Sequence, residues 1–385
     1  MDDEKKLTKN RIKFLSKLRA KNGSVKLSES RYGEPDHYIS TGSYALNRII
    51  SGDIHKGIPS GRIIIWAGEN SVGKSLAVTC TAGHALRDNG YDMIFVFDSE
   101  LGASKSFFES FDCDPEQVEQ ILVESVEDCQ LKMVGTLNDI LAYQKEDPGF
   151  KAMFILDSLG ALVAEKVHRD ANKGKVVSEM GGRAKQVNNM IKALTIPAAK
   201  TGTPINIINH VYADPSAMFP SKIKNQGGGE GLKYMASVNI QIAKKLEKNT
   251  DSSIENEFKG NHLVFFTIKN RLVKPFHRTE LYIDFDKGIH KYNGLIDTAI
   301  KYGFIIAKGA WYEVPSYSDK NIRMNDILYG DKADEIWESF LEDFNKKSKE
   351  EIQYSSITDK EKTNETFDKI EEKLEVLEES QIEIE

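Results

Sequence analysis

Cysteine is scarce in this chain. Its 385 residues include three, Cys80, Cys113 and Cys129, and no two of them share a CxxC spacing. That argues against a zinc site and against a disulfide frame, and fits a reducing cytoplasm. No apolar run reaches the roughly 18 residues that a membrane span needs, so no membrane partner is expected. The opening stretch MDDEKKLTKNRIKF is charged and has no apolar h-region, so no signal peptide is expected either. An overall excess of positive charge is also lacking: the net charge is −7. The sum hides a split. Residues 1–30 carry nine Lys and Arg against four acidic residues, and residues 345–385 carry thirteen acidic residues against seven Lys. The end of the chain therefore holds most of the negative excess, and net charge does not exclude nucleic-acid binding; local charge decides.

What is present is a core. Hydrophobic residues make up 40% of the chain, with 18 Phe. Residues 1–34 read as a basic amphipathic helix and linker, with Leu7, Ile12, Leu15 and Leu18 near helical spacing and KNGS at 21–24 ending the helix. A domain over 35–288 follows. In it short apolar runs, RIIIWAG, MIFVFD, QILVES, AMFILD and PINIINH, alternate with helical stretches. That pattern predicts an α/β fold with a mostly parallel central sheet. ASVNIQIAKKL, HLVFFTIKN and TELYIDFD come with little helix between them and are expected to extend the sheet antiparallel. A small mixed module is expected over 289–344 and an acidic, disordered tail over 345–385.

The stretch GENSVGKS matches G-x-x-x-x-G-K-[ST] at every fixed position, after a strand and before a helix. Gly68 and Gly73 let the backbone wrap so that successive N–H groups aim at phosphate oxygens. Lys74 reaches the β- and γ-phosphates, and Ser75 offers a hydroxyl to Mg²⁺. AMFILD ends in Asp157, placed to hold the magnesium shell. MIFVFDSE ends in Glu100, a candidate general base for the attacking water. No NKxD guanine reader and no arginine-rich lid are present, which disfavours a GTPase and a small-molecule kinase.

Taken with STGSYALNRIISG, FDSELG, LDSLGAL, IINH, GGGEGLKYMASV and GLIDTAIKYGF…GAWY, these residues resemble the RecA recombinase family, most closely its phage branch of UvsX-type proteins. The resemblance spans about residues 38–315. It implies a RecA-type P-loop ATPase core with an N-terminal helix and a small C-terminal module. It also implies that Gly68, Glu69, Asn70, Ser71, Val72, Gly73, Lys74 and Ser75 form the ATP cradle. Glu100 would be the catalytic glutamate, Asp157 the magnesium-side aspartate, and Phe107 either an aromatic against adenine or ordinary core. His210 stands where bacterial relatives usually carry Gln and would sense the γ-phosphate. Lys269 and Arg271 would reach the nucleotide of the adjacent subunit, which makes hydrolysis depend on assembly.

Two irregular segments follow strands on the nucleotide side, 164–183 and 211–231; in the family these are the loops that hold single-stranded DNA. The first carries Lys166, Arg169, Lys173, Lys175 and Arg183. The second carries Met218, Phe219, Lys222, Lys224, Gly227, Gly228 and Gly229. Cations would neutralise phosphates, Met218 and Phe219 would pack against bases, and the glycines would let the loop order on binding. The N-terminal helix either links neighbouring subunits or acts as a basic arm on DNA. The expected function is an ATP- and Mg²⁺-dependent recombinase that forms a helical homo-oligomer on single-stranded DNA and pairs it with homologous duplex. Expected partners include a single-strand-binding protein and a loading mediator, in a bacterial host cytoplasm if phage-encoded. The rival readings are a ring-forming RecA-fold helicase and a non-catalytic recombination mediator.

Overall fold

The runs IIIWAG, MIFVFD, AMFILD and INIINHVY are buried along most of their length, the condition for strands covered on both faces. The computed structural model describes residues 2–25, 27, 30, 32–174, 182–212, 224–245, 260–284 and 288–354. Helix α1 (Asp2–Asn22) ends at Gly23, whose φ of +63° returns its N–H to Arg19 O at 2.8 Å. A small antiparallel pair, β1 (Tyr38–Ile39) and β2 (Ile58–Pro59), brackets α2 (Tyr44–Ser51).

The core then runs β3 (Ile63–Gly68), α3 (Lys74–Asp88), β4 (Met93–Asp98), α4 (Lys105–Glu109), β5 (Val118–Leu122), α5 (Val126–Tyr143), β6 (Ala152–Asp157), α6 (Glu165–Asn172), α7 (Gly182–Thr201), β7 (Ile205–Tyr212), β8 (Asn225–Gln226), α8 (Glu230–Met235), β9 (Val238–Lys244), β10 (Gly260–Asn270), β11 (Arg278–Asp284) and β12 (Gly288–Ile289). These strands form one sheet of order β12-β11-β10-β9-β3-β7-β6-β4-β5, with β8 paired to β7. Strands β9, β3, β7, β6, β4 and β5 are parallel; β10, β11 and β12 extend the sheet antiparallel. The fold is thus the expected α/β sheet, with one correction. ASVNIQIAKKL, expected antiparallel, is β9 and runs parallel to β3. A parallel neighbour needs a crossover connection, and α8 lies on it.

Alternation along β3 divides the core. Ile64 and Trp66 face one cluster and Ile63, Ile65 and Ala67 the other. The first cluster extends without a break into the C-terminal module of α9 (Ile296–Tyr302), β13 (Ile306–Lys308), β14 (Trp311–Val314), β15 (Ser318–Ile322), α10 (Met324–Tyr329), α11 (Ala333–Glu338) and α12 (Leu341–Ile352). Helix α12 corrects the expected start of the tail at 345: Asn345, Ser348 and Ile352 are buried. Their spacing of three and four puts them on one helix face, and that face packs on α2 through Ser348 Oγ accepting Arg48 Nε–H at 2.9 Å. The tail beyond 354 lies outside the described residues. No described helix is long and apolar enough to cross a membrane.

Register places the site. Gly68 lies beside His210 and Asp98 beside Asp157, all at the carboxyl ends of parallel strands. That edge is where α/β sheets bind ligands.

Candidate active site

Gly68 ends β3 where no side chain fits: a Cβ there would lie 2.6 Å from Val72 Cγ2 and 2.9 Å from Ile242 O. Ser71 and Gly73 take positive φ, +58° and +79°, and Gly73 caps the 15-residue α3. The loop therefore turns its backbone toward a helix N-terminus, an arrangement that suits anions. Lys74 is buried, and its Nζ donates to Glu69 O at 2.7 Å and Gly68 O at 3.2 Å. Burial lowers its pKa, while Asp157 and Glu100 act in the opposite direction. A buried ammonium over a glycine cradle fits a polyphosphate.

Ser75 Oγ donates to Asp157 Oδ2 at 2.7 Å. Burial raises the Asp157 pKa, Ser75 opposes the rise, and the nearby charges of Glu100 and Asp98 add to it. Carboxylates crowded in this way gain from a cation. Among the described residues no cluster of three or more His, Cys, Asp or Glu could hold a metal by itself. The pair Ser75 and Asp157 instead suits Mg²⁺ shared with phosphate oxygens.

Glu100 is positioned by its neighbours. Asp98 accepts N–H bonds from Glu100, Gly102 and Ala103 at 3.0, 3.3 and 3.1 Å and from Gln120 Nε2 at 2.8 Å, which winds the loop after β4 around one carboxylate. Ser158 Oγ donates to Glu100 Oε1, and His210 Nε2 lies 3.2 Å from the same oxygen and 3.2 Å from Ser158 Oγ. Burial pushes the Glu100 pKa up, but the bonds from Ser158 and His210 outweigh it and leave the carboxyl below its usual range. Ser99 Oγ in turn accepts the Ser158 N–H at 2.9 Å and donates to Ser158 O at 2.7 Å. A cavity of about 500 Å³ opens beside Glu100 and His210, with Glu69, Asn70 and Gly160 in its wall. Gly160 leaves room for the imidazole: a Cβ there would lie 2.2 Å from His210 Cδ2.

The structure therefore gathers Lys74, Ser75, Glu100, Asp157 and His210. Phe107 packs in a cluster with Phe108 and Phe111, ring centroids 6.1 and 5.2 Å away. Lys269 and Arg271 are not brought to the phosphate loop. Both donate to Tyr234 O, Arg271 Nη2 at 2.9 Å. Burial, and then Arg271, lower the Lys269 pKa to about 8. Asn270, between the two cations, pairs with Val238, and Val238 pairs with Ile64 at the start of β3. The cation pair sits at the opposite edge of the sheet from Gly68, four residues or roughly 13 Å along the strand direction and two strands across.

The first DNA-loop segment is partly helical, contrary to expectation: α6 carries Lys166 and Arg169, and Lys173 is exposed just beyond it. Arg183 is a second correction. It belongs to α7 and donates to Leu162 O and Leu159 O at 2.6 Å each and to Gly160 O at 3.3 Å, so it clamps the turn that supports His210. Lys224 is ion-paired with Glu69. Gly228 and Gly229 adopt positive φ, +93° and +79°, and Gly227 O accepts Asn209 Nδ2–H at 2.8 Å beside His210. Lys175, Met218, Phe219 and Lys222 lie outside the described residues. Sequence reasoning assigned no role to Asp98, Ser99 or Ser158. The sole signal for them was a run of short polar residues after each buried strand.

A family model, the RecA N-terminal domain, matches residues 6–290. The recombination and repair protein of Enterobacteria phage T4 is 29% identical over 290 residues, 75% of this chain and 70% of that protein. The RecA protein of Mycoplasmopsis pulmonis is 26% identical over 317 residues, 82% of this chain and 86% of its own length. That of Borreliella afzelii is 27% identical over 302 residues, 78% and 77% of the two chains. Because the matched span takes in the phosphate loop, Glu100, Asp157, His210 and the cation pair together, the chain belongs to the RecA family.

Proposed function

We propose that this chain is an ATP-dependent recombinase that assembles as a helical filament on single-stranded DNA and exchanges strands with homologous duplex. The carrying observation is the joining of Glu100, Ser158 and His210 at the carboxyl ends of β4, β6 and β7, the strands on one side of the phosphate-loop strand β3. Gly68–Ser75 hold the triphosphate, and Ser75 and Asp157 hold its Mg²⁺. ATP supplies a terminal phosphoryl group whose transfer to water is strongly favourable. Glu100, kept ionised by its hydrogen bonds, orients and deprotonates the water. His210 leads directly into the second DNA segment, so a group that feels the terminal phosphate stands at the root of a DNA-binding loop. Lys166, Arg169 and Lys173 offer exposed cations for a sequence-tolerant grip on phosphates.

Lys269 and Arg271 complete the site of the next subunit, since within one chain they face the wrong edge. The α1 side chains Phe14, Leu15 and Leu18, 62%, 45% and 37% exposed, supply an apolar stripe for that neighbour. Residues 35–288 form the catalytic core and the module after 289 packs on it. A single-strand-binding protein and a loading mediator are the further partners, in the cytoplasm, that of a bacterial host if the chain is phage-encoded.

The test is ATP turnover with and without single-stranded DNA, beside electron micrographs. DNA is expected to stimulate turnover at least tenfold and to carry helical polymers, with both lost in Lys74→Ala. Closed hexamers that unwind duplex would replace this reading with a ring helicase, and absence of turnover in both conditions would replace it with a mediator.

A further inference from the structure

Glu69 and Lys224 stand 155 residues apart in sequence and meet in a direct ion pair. Glu69 follows Gly68 in the phosphate loop. Lys224 immediately precedes β8, and its backbone N–H donates to Gln241 Oε1 at 2.9 Å. Strand β8 pairs with Val211 and Tyr212 of β7, the two residues after His210. Lys224 and His210 thus sit on the two arms of one hairpin, and residues 213–223 join those arms. As a cation beside an irregular segment, Lys224 reads from sequence as a contact to the DNA backbone. Its position points elsewhere.

Glu69 is engaged twice by cations. Its carbonyl accepts a bond from Lys74 Nζ at 2.7 Å, and its carboxylate holds Lys224. It also shares the wall of the 500 Å³ cavity with Glu100 and His210. A triphosphate in the loop brings several negative charges next to that carboxylate. It repels Glu69 and attracts Lys224. The side chains are 59% and 35% exposed, and a pair in that setting is easily exchanged.

We infer that Lys224 is a triphosphate-sensing residue, whose ion pair with Glu69 competes with its attraction to the terminal phosphate. This rests on the reading of Gly68–Ser75 as the ATP cradle. Exchange of partners moves one arm of the hairpin, so the phosphate loop acts on the second DNA segment within a single chain. The diphosphate lacks the group that would draw Lys224 away and leaves the pair in place.

The experiment measures binding of a fluorescent ADP and of its non-hydrolysable triphosphate counterpart, with no DNA present. The proteins are the full-length chain, Lys224→Gln, Glu69→Gln and the double variant. Unchanged thermal melting checks that each keeps the fold. Lys224→Gln is expected to lower the preference for triphosphate over diphosphate about three- to tenfold, the scale of one charge-assisted contact. Glu69→Gln is expected to raise it, because Lys224 is then free, and the double variant should behave as Lys224→Gln alone. If neither single variant changes the preference, or both change it in the same direction, the inference is overturned. A second measurement reads single-strand binding by the same proteins with each nucleotide; a loss of equal size with either nucleotide in Lys224→Gln would make Lys224 a DNA contact and would overturn the inference too. A full-length chain that binds neither nucleotide overturns the cradle reading itself, and this inference with it.

Discussion

A single hydroxyl, Ser158 Oγ, touches both Glu100 and His210, and small changes there have readable consequences. Its bond to Glu100 favours the charged carboxylate, which is one reason the Glu100 pKa is depressed against the opposing effect of burial. Ser158→Ala removes that bond and keeps the volume nearly constant. The Glu100 pKa then rises. A general base works when ionised, so the acid limb of the DNA-stimulated turnover profile moves to higher pH. On the plateau kcat falls about tenfold, because the carboxylate loses one of the two bonds that aim it, while KM for ATP stays put. The pH profile of ATP hydrolysis by wild type and variant measures both effects. An unmoved acid limb would show that Ser158 does not tune Glu100.

At the scale of elements, α12 joins the C-terminal module to the core. Arg48 of α2 donates to Ser348 Oγ at 2.9 Å, Tyr302 Oη at 3.0 Å and Glu351 Oε2 at 3.2 Å, and Ile352 is fully buried. Ile352→Ala is therefore expected to cost ~2–5 kcal/mol in chemical denaturation. A chain cut after residue 344 loses Asn345, Ser348 and Ile352 from that face, and should melt well below one cut after 354. The sequence hid this helix because its buried face carries Asn345 and Ser348, polar residues that make the stretch look like part of the acidic tail. Helix α6 was hidden for a related reason: in EKVHRDAN the apolar stripe is too short to show a period. By contrast the parallel sheet was legible, since runs such as IIIWAG have no polar face to place in water. The phosphate loop was legible because backbone geometry dictates its glycines. Arg183 and Lys224 were not, because a cation's partner is chosen by tertiary contacts: three turn carbonyls for one, Glu69 for the other.

At the scale of the whole molecule, one copy leaves its site incomplete on the proposed reading. The phosphate loop lies at the carboxyl edge of the parallel strands, and Lys269 and Arg271 lie at the amino edge, where they share the Tyr234 carbonyl. Within one chain the cations face away from the loop, and on the proposed reading a neighbour stacked edge to edge would bring its own onto it. On that reading hydrolysis is a property of the interface, and complementation is predicted. Lys74→Ala protomers keep their cations and lose their own loop; protomers with Lys269→Ala and Arg271→Ala keep the loop and lose the cations. Each alone should show almost no DNA-stimulated turnover. Mixed at equal concentration before DNA is added, the loop-intact protomers carry Lys74→Ala protomers into shared filaments, where an intact loop meets intact cations at up to about a quarter of the interfaces, so part of the turnover should return, to at most about a quarter of wild type. Cations acting within their own chain would give no recovery at any ratio. Recovery that peaks at equal mixing and vanishes when the two populations are assembled on separate DNA requires that adjacent subunits share each site.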